Sequence, residues 1–332
     1  MNKIKVITIG GATRDIIFVT KEGKLILTPE DLTSQKLLAF ESGAKILSEN
    51  SIFATGGGGC NVAVGLRRLG IPVAAHVTIG TDNKGESVIA SLKREFVDTK
   101  LVVQNDKDST GFSFLLVSAT KKDHIAFLYR GMNNRMQVDV AKIKKLKPRW
   151  LYVSSLTGQT WRSNMKKIRS LVKGETVRLM WNPGSTQLST GYNGLRTLLK
   201  LTDVLLLNKD EAIELVLSKS KKVKNINSAA NLAKIIKSWG PRIVIITAGR
   251  KGAYAYDGDK IYYQPIIRSK VVDTTGAGDC TGASFLAGYI NLGGDIQKAL
   301  KIGAFNTSRL VRELGAQHGL IERSDLPKEL LK

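Results

Sequence analysis

Cysteine is nearly missing from this chain. Its two copies, Cys60 and Cys280, lie far apart and share no metal-ligand or redox spacing. A disulfide framework and a zinc site are therefore set aside as organising features, and a reducing, cytoplasmic setting fits best. Histidine is scarce too: His76, His124 and His318 are isolated, and each is read as a surface or satisfied core residue. No apolar run approaches the length of a membrane span, about 20 residues, so no membrane partner is expected. The stretch from Met1 to Ile9 is too short and strand-like for a signal peptide. Acid is short relative to base: 28 Asp and Glu against 51 Lys and Arg leave a formal charge of +23. No nucleic-acid module and no basic run interleaved with aromatics accompanies that charge. Steering of a polyanionic substrate is a second reading. A Lys-rich solvated surface is the third and preferred one, because Lys142, Lys144, Lys145 and Lys147, and again Lys219, Lys221, Lys222 and Lys224, fall at expected helix ends or loops. Charge of this kind bears on solubility and nonspecific binding rather than on fold.

With 332 residues, 42% of them hydrophobic, the chain can bury an ample core as one large α/β domain or two small ones. No repeat, linker or low-complexity segment interrupts it. From Trp150 onward, short apolar strands (Trp150 to Ser154, Val177 to Trp181, Val204 to Leu207, Ile243 to Thr247) alternate with amphipathic helices (Arg162 to Val172, Asn193 to Leu201, Lys209 to Leu217, Ser228 to Ser238). That alternation implies a mainly parallel sheet covered on both faces, with ligands at the C-terminal strand ends. Before it, Ile4 to Ile9 reads as a buried strand ending in Gly10-Gly11. Asp15 follows at that strand end, then a strand over Ile16 to Val19 and a short one at Leu25 to Leu27. Leu37, Leu38, Phe40 and Ala44 hint at a helix, and Val73 to Ile79 reads as one strand. Phe112 to Ser118 and His124 to Tyr129 form a hairpin joined by Lys121-Lys122-Asp123.

Two glycine-rich loops open helices. Gly56 to Gly59 precedes Cys60, Asn61 and an apolar helix ended by Gly70. Thr274-Thr275-Gly276-Ala277-Gly278-Asp279 precedes a long helix from Cys280 to Asn291. Free N–H groups at such helix starts make an anion site, and glycine permits close approach of a phosphate. Asp279 puts a carboxylate at that anion site. This suits a group that takes a proton beside a phosphate, and it equally suits a helix-start cap. Asn208 and Glu211 likewise read as a capping box or as part of a magnesium shell. Gly249 to Gly252 on its own reads as a hairpin turn.

Asp273 to Asp279 with its apolar helix resembles the C-terminal signature of the PfkB, ribokinase-like, carbohydrate kinases. Further stretches agree in order: Gly57-Gly58 with Asn61, Gly80-x-Asp82-x-x-Gly85, Asn208-x-x-Glu211, and Thr247-x-Gly249-x-x-Gly252. The resemblance implies a three-layer α/β sandwich with a mainly parallel sheet. It implies one domain over residues 1–332, with β-rich lid segments at about 15–54 and 109–130. The interval from Asp15 to Gly56 is longer than is usual for the family. The implied reaction moves the ATP γ-phosphoryl group to a hydroxyl of a sugar or, alternatively, a nucleoside; a non-catalytic relative of the same fold is a third reading. Asp279 would be the base, and the amides of Gly276, Ala277 and Gly278 the anion hole. Asn208, Thr247, Gly249, Gly252, Thr275 and Asn306 would hold the nucleotide. Gly11, Asp15, Gly57, Gly58, Asn61 and Arg130 would hold the acceptor. Asn208 and Glu211 would act on Mg2+ through water, and Asp273 would stand near a monovalent cation such as K+. Asn182 stands where many relatives carry Asp, which leaves the sugar's identity open. A homodimer through the lid is compatible with the pattern.

Overall fold

The computed structural model describes residues 3–27, 36–118, 123–174 and 176–331. In chain order these form β1 (Val6–Ile9), β2 (Thr13–Thr20), β3 (Lys24–Leu27), β4 (Lys36–Ala39), β5 (Asn50–Gly56), α1 (Gly58–Arg68), β6 (Val73–His76), β7 (Thr78–Gly80), α2 (Asn83–Arg94), β8 (Val103–Asn105), β9 (Gly111–Ser118) and β10 (Asp123–Tyr129). Then come α3 (Val140–Leu146), β11 (Trp150–Val153), α4 (Trp161–Val172), β12 (Arg178–Trp181), α5 (Ser185–Leu188), α6 (Gly191–Leu199), β13 (Val204–Asn208), α7 (Lys209–Leu217), α8 (Ala229–Lys237), β14 (Ile243–Thr247), β15 (Ala253–Tyr256), β16 (Ile261–Gln264), α9 (Ala277–Asn291) and α10 (Ile296–Leu310).

Eight strands make the main sheet, ordered β16-β15-β14-β13-β12-β11-β1-β6. The six from β6 to β14 run parallel, and β15 and β16 add an antiparallel edge. Side chains alternate across it, as the pleat requires. Val6, Trp150, Tyr152, Met180, Val204 and Leu206 enter one core, which α1, α9 and α10 cover. Ile7, Leu151, Val153, Trp181, Leu205 and Leu207 enter the other, under α4, α6, α7 and α8. The result is three layers, helix–sheet–helix. A second sheet, ordered β10-β9-β2-β5, stands apart from the main one, and β3 pairs with β4.

Several expectations change here. Leu37 and Leu38 are in a strand, β4: a four-residue apolar stretch has no period of its own, and pairing with β3 decides it. Val73 to Ile79 is two strands. β6 stays in the main sheet while β7 leaves it to pair with β8. Asp15 lies inside β2 of the second sheet, not at the end of β1. The β9–β10 hairpin forms as read; its joining residues Lys121 and Lys122 lie outside the described residues, as does the part of the first lid segment at 28–35. His76 is a satisfied core residue, since its Nδ1 faces Leu101 O at 2.9 Å and its Nε2 accepts from Asp139 N–H at 3.0 Å. Among the described residues no helix is long and apolar enough to cross a membrane.

Candidate active site

Helix α9 begins at Gly276, whose φ of 75° is left-handed; Ala316 packs where a side chain would go. The Ala277 N–H donates back to Thr274 O at 3.1 Å. Among the described residues, the N–H groups of Gly276, Gly278 and Asp279 find no acceptor. Of the three amides expected to form an anion hole, Gly276, Ala277 and Gly278, that of Ala277 is engaged in the turn, while the Asp279 N–H is unengaged. Gly278 faces open space. Asp273 braces the loop, its Oδ1 accepting from Thr275 N–H (2.9 Å) and Oγ1 (2.7 Å), its Oδ2 from Gly315 N–H (2.9 Å). Both oxygens of the residue expected near a cation, and the hydroxyl of Thr275, are therefore engaged inside the chain.

The Asp279 side chain meets the start of α1. Asn61 Nδ2 donates to Asp279 Oδ2 at 2.9 Å, and Gln317 Nε2 donates to Asn61 Oδ1 at 2.9 Å. Each end of the Asn61 amide thus makes one bond, which ties Asn61, expected at the acceptor, to Asp279. Burial pushes the Asp279 carboxyl up, and the Asn61 bond pulls it partly back. Below it, the buried Tyr152 hydroxyl has no partner, and burial with the nearby Asp279 charge raises that phenol. The glycines are there for space. Gly57 has φ of 86° and sits against Gly11 O. A Cβ on Gly58 would stand 2.7 Å from Ser154 Oγ and 3.2 Å from Asp279 Oδ1. A Cβ on Gly10 would overlap Ser154 Oγ. Gly59 N–H closes the junction onto Gly11 O at 2.9 Å.

Asp15 approaches from the second sheet. Ser113 Oγ donates to its Oδ1 at 2.6 Å, and Gly56 leaves room for its Oδ2. Burial raises its carboxyl, against the pull of Ser113 and Thr13. Asp15 and Asp279 act on one buried thiol: both charges, after burial, push Cys60 up. The structure thus brings the two acids near the start of α1, Asp15 against Gly56 and Asp279 against Gly58. Arg130 is exposed, and among the described residues no acid pairs with it. Its neighbour Asn133, not singled out in the sequence, clamps both polar groups of Ala12 at 2.9 Å each. Ser154, Ser113 and Gln317 were also missed. Ser154 follows a parallel strand, which the strand-end rule could have flagged; the other two carry no local signal.

On the neighbouring strand ends, Asn208 of β13 stands in register with Thr247 of β14. Asn208 and Glu211 form the capping box of α7, with Glu211 Oε2 accepting from Asn208 N–H and Asn208 Oδ1 accepting from Glu211 N–H, both at 2.8 Å. Burial raises the Glu211 carboxyl; the Asn208 N–H opposes this, and Glu214 and Asp210 add to it. Its Oε1 remains free, a pattern that suits a hydrated cation. Gly249 and Gly252, with φ of 52° and 83°, turn β14 into β15, so the hairpin reading of this stretch holds. Asn306 does not join the site: it is fully buried, donating to Ser284 Oγ (2.9 Å) and accepting from Ile321 N–H (3.1 Å).

This arrangement puts a desolvated carboxylate beside unpaired helix-start amides at the C-terminal edge of a parallel sheet. The family model for pfkB family carbohydrate kinases matches residues 26–323, and the chain belongs to that family. It is 28% identical over 266 residues to an uncharacterized sugar kinase of Archaeoglobus fulgidus, covering 77% of this chain and 98% of that one. Among solved structures it resembles the Methanocaldococcus jannaschii nucleoside kinase, an archaeal member of the ribokinase family (TM-score 0.76, 22% identity, 99% of each chain). It also resembles Arabidopsis thaliana ribokinase complexed with ribose and ATP (TM-score 0.77, 20% identity, 100% of this chain and 99% of that one). At these identities the structures establish the ribokinase fold.

Proposed function

We propose that the chain is an ATP-dependent kinase that moves the γ-phosphoryl group to a hydroxyl of a sugar. The observation that carries this reading is the position of Asp279. Its carboxylate is half-buried and raised in proton affinity, and it lies next to the unpaired N–H groups of Gly276 and Gly278. In phosphoryl transfer, positioning and charge stabilisation do most of the work. Asp279 accepts the proton of the attacking hydroxyl. The amides of Gly276, Gly278 and Asp279 hold the charge that develops on the migrating phosphoryl group. Asn61, fixed by Gln317, keeps the carboxylate aimed. Asp15, held by Ser113, accepts from hydroxyls of the acceptor. Thr247, Gly249 and Gly252 border the nucleotide. Asn208 and the free oxygen of Glu211 would hold Mg2+ through its waters, and Mg2+ supplies charge neutralisation on the phosphates. The sheet of β10, β9, β2 and β5 acts as the lid that excludes water.

A nucleoside acceptor is the second reading, supported by the end-to-end likeness to a nucleoside kinase. One screen separates the two: ADP release with ATP, Mg2+ and a panel of sugars, sugar phosphates and nucleosides, run on the wild type and on Asp279→Asn. Acceptor-dependent ADP release that disappears in Asp279→Asn is expected. No acceptor-dependent release from any member would refute the kinase reading.

A further inference from the structure

A second cavity, of about 300 Å³, lies outside the site above, at the free edge of the lid. Its volume falls at the lower end of the roughly 300–1,000 Å³ range of small-molecule sites. We propose that this cavity is a separate anion site that takes a phosphate-bearing small molecule.

Four basic groups from four parts of the chain converge on its wall: Arg14 of β2, Arg68 of α1, Arg94 at the end of α2, and His318. One acid, Glu95, shares the wall, and it is already committed. Arg68 holds it through two bonds, Nε to Oε2 at 2.8 Å and Nη2 to Oε1 at 2.6 Å. Arg14 and Arg94 have no acidic contact of their own among the described residues. They repel each other instead: after burial, the Arg94 charge is the next cause that lowers the Arg14 guanidinium, more than Asp15 restores it. Arg14 lies over the Phe53 ring, 5.6 Å from its centroid. Like charges gathered around a cavity cost free energy that an anion would relieve, and guanidinium is the side chain whose fork matches phosphate oxygens. His318 Nδ1 faces Leu314 O at 2.7 Å, which leaves Nε2 uncommitted. Gln317 is also part of the wall, and its amide reaches Asn61 on the other side. Occupancy of the cavity and the aim of Asp279 therefore share one side chain.

The test is calorimetric titration of the full chain with inorganic phosphate, ionic strength being held constant with sodium chloride so that screening does not mimic binding. The wild type, Arg14→Gln and Arg94→Gln are compared, with thermal melts to establish folding. Arg94 lies exposed at a helix end, so its variant preserves the test if Arg14→Gln fails to fold. The expected result is one saturable phosphate site, weakened about 10- to 100-fold by loss of either guanidinium. Phosphate binding that both variants leave unchanged would put the ion elsewhere and overturn the proposal, as would binding that never saturates. Parallel titration with ribose 5-phosphate identifies the source. Tighter binding than phosphate supports a phosphorylated metabolite, and equal binding supports free phosphate.

Discussion

Asn61→Leu tests the central claim about the site, that Asn61 serves the carboxylate. Leucine keeps nearly the same shape and deletes one bond to Asp279, the 2.9 Å donation from Nδ2 to Oδ2. A hydrogen bond to a charged group contributes about 1.5–3 kcal/mol. Its loss raises the Asp279 carboxyl further. The bond favours the ionised form and burial opposes it, so removing the bond leaves burial unopposed and the shift is upward. A base must be ionised to work. The acid limb of the kcat/KM pH profile should therefore move up, with rates well above that limb much less affected. The other groups around Asp279 do not blur the reading. The Cys60 and Tyr152 groups are pushed far up and Cys280 is pushed up to about 12, so they stay neutral through the assay range. Asp15 and Glu211, whose carboxyls burial also raises, are further candidates for an acid limb, and Asp15→Asn and Glu211→Gln profiles separate them. The assay is initial-rate ADP release from pH 5 to 9 with the best acceptor. If Asn61→Leu raises KM alone and leaves the acid limb in place, Asn61 binds the acceptor and the relay is wrong.

Four further outcomes follow from the same geometry. Asp279→Asn should abolish nearly all phosphoryl transfer while ATP binding, measured by calorimetry, stays close to wild type. Because burial raises the folded-state Asp279 carboxyl, its stability penalty is absent below the ordinary carboxylate range and grows as pH rises through the folded value. Thermal melts of Asp279→Asn should thus show a gain in Tm at pH 8 that shrinks towards pH 4. Asp15→Ala should cost about 2–4 kcal/mol in kcat/KM, the order for a charged hydrogen bond lost in a closed site, and exposed Arg130→Ala under about 1 kcal/mol; the reverse ranking would indicate an anionic acceptor. Glu211→Gln keeps an oxygen for the Asn208 N–H, so the melt should stay within about 0.5 kcal/mol while the Mg2+ requirement rises; unchanged Mg2+ dependence would remove this pair from the metal shell.

What the sequence made legible is what short range determines. The strands from Trp150 to Thr247 and their helices follow from apolar period and length, and they fall within a residue or two of their observed bounds. The capping box at Asn208 and Glu211 was readable because both bonds span three residues. The bonds of Asn61 to Asp279 and Gln317 were not legible because these partners lie 218 and 256 positions away, and an Asn before a helix looks the same whether it faces a ligand or a carboxylate. Ala277 was counted among free donors because a turn bond to Thr274 is invisible until the loop closes. Asn306 fell on the expected helix, but its face was decided by Ser284 and Ile321.

The proposed base is therefore not a property of the Gly276 to Asp279 loop alone. The loop supplies a carboxylate and three donors. The start of α1 supplies the Asn61 bond and, through Gly58, the space in which the carboxylate lies. Gly10 and Ser154 hold that space open at the ends of adjacent parallel strands. The segment after α10 supplies Gln317, which fixes the polarity of the Asn61 amide so that its N–H side faces Asp279. An ionised carboxylate accepts only, so an amide turned the other way would set oxygen against oxygen. A half-buried acid with one directed donor and, among the described residues, no basic partner is costly to keep ionised. It persists because four separate segments define its surroundings, and a raised proton affinity held next to an anion site is what proton transfer from an alcohol requires.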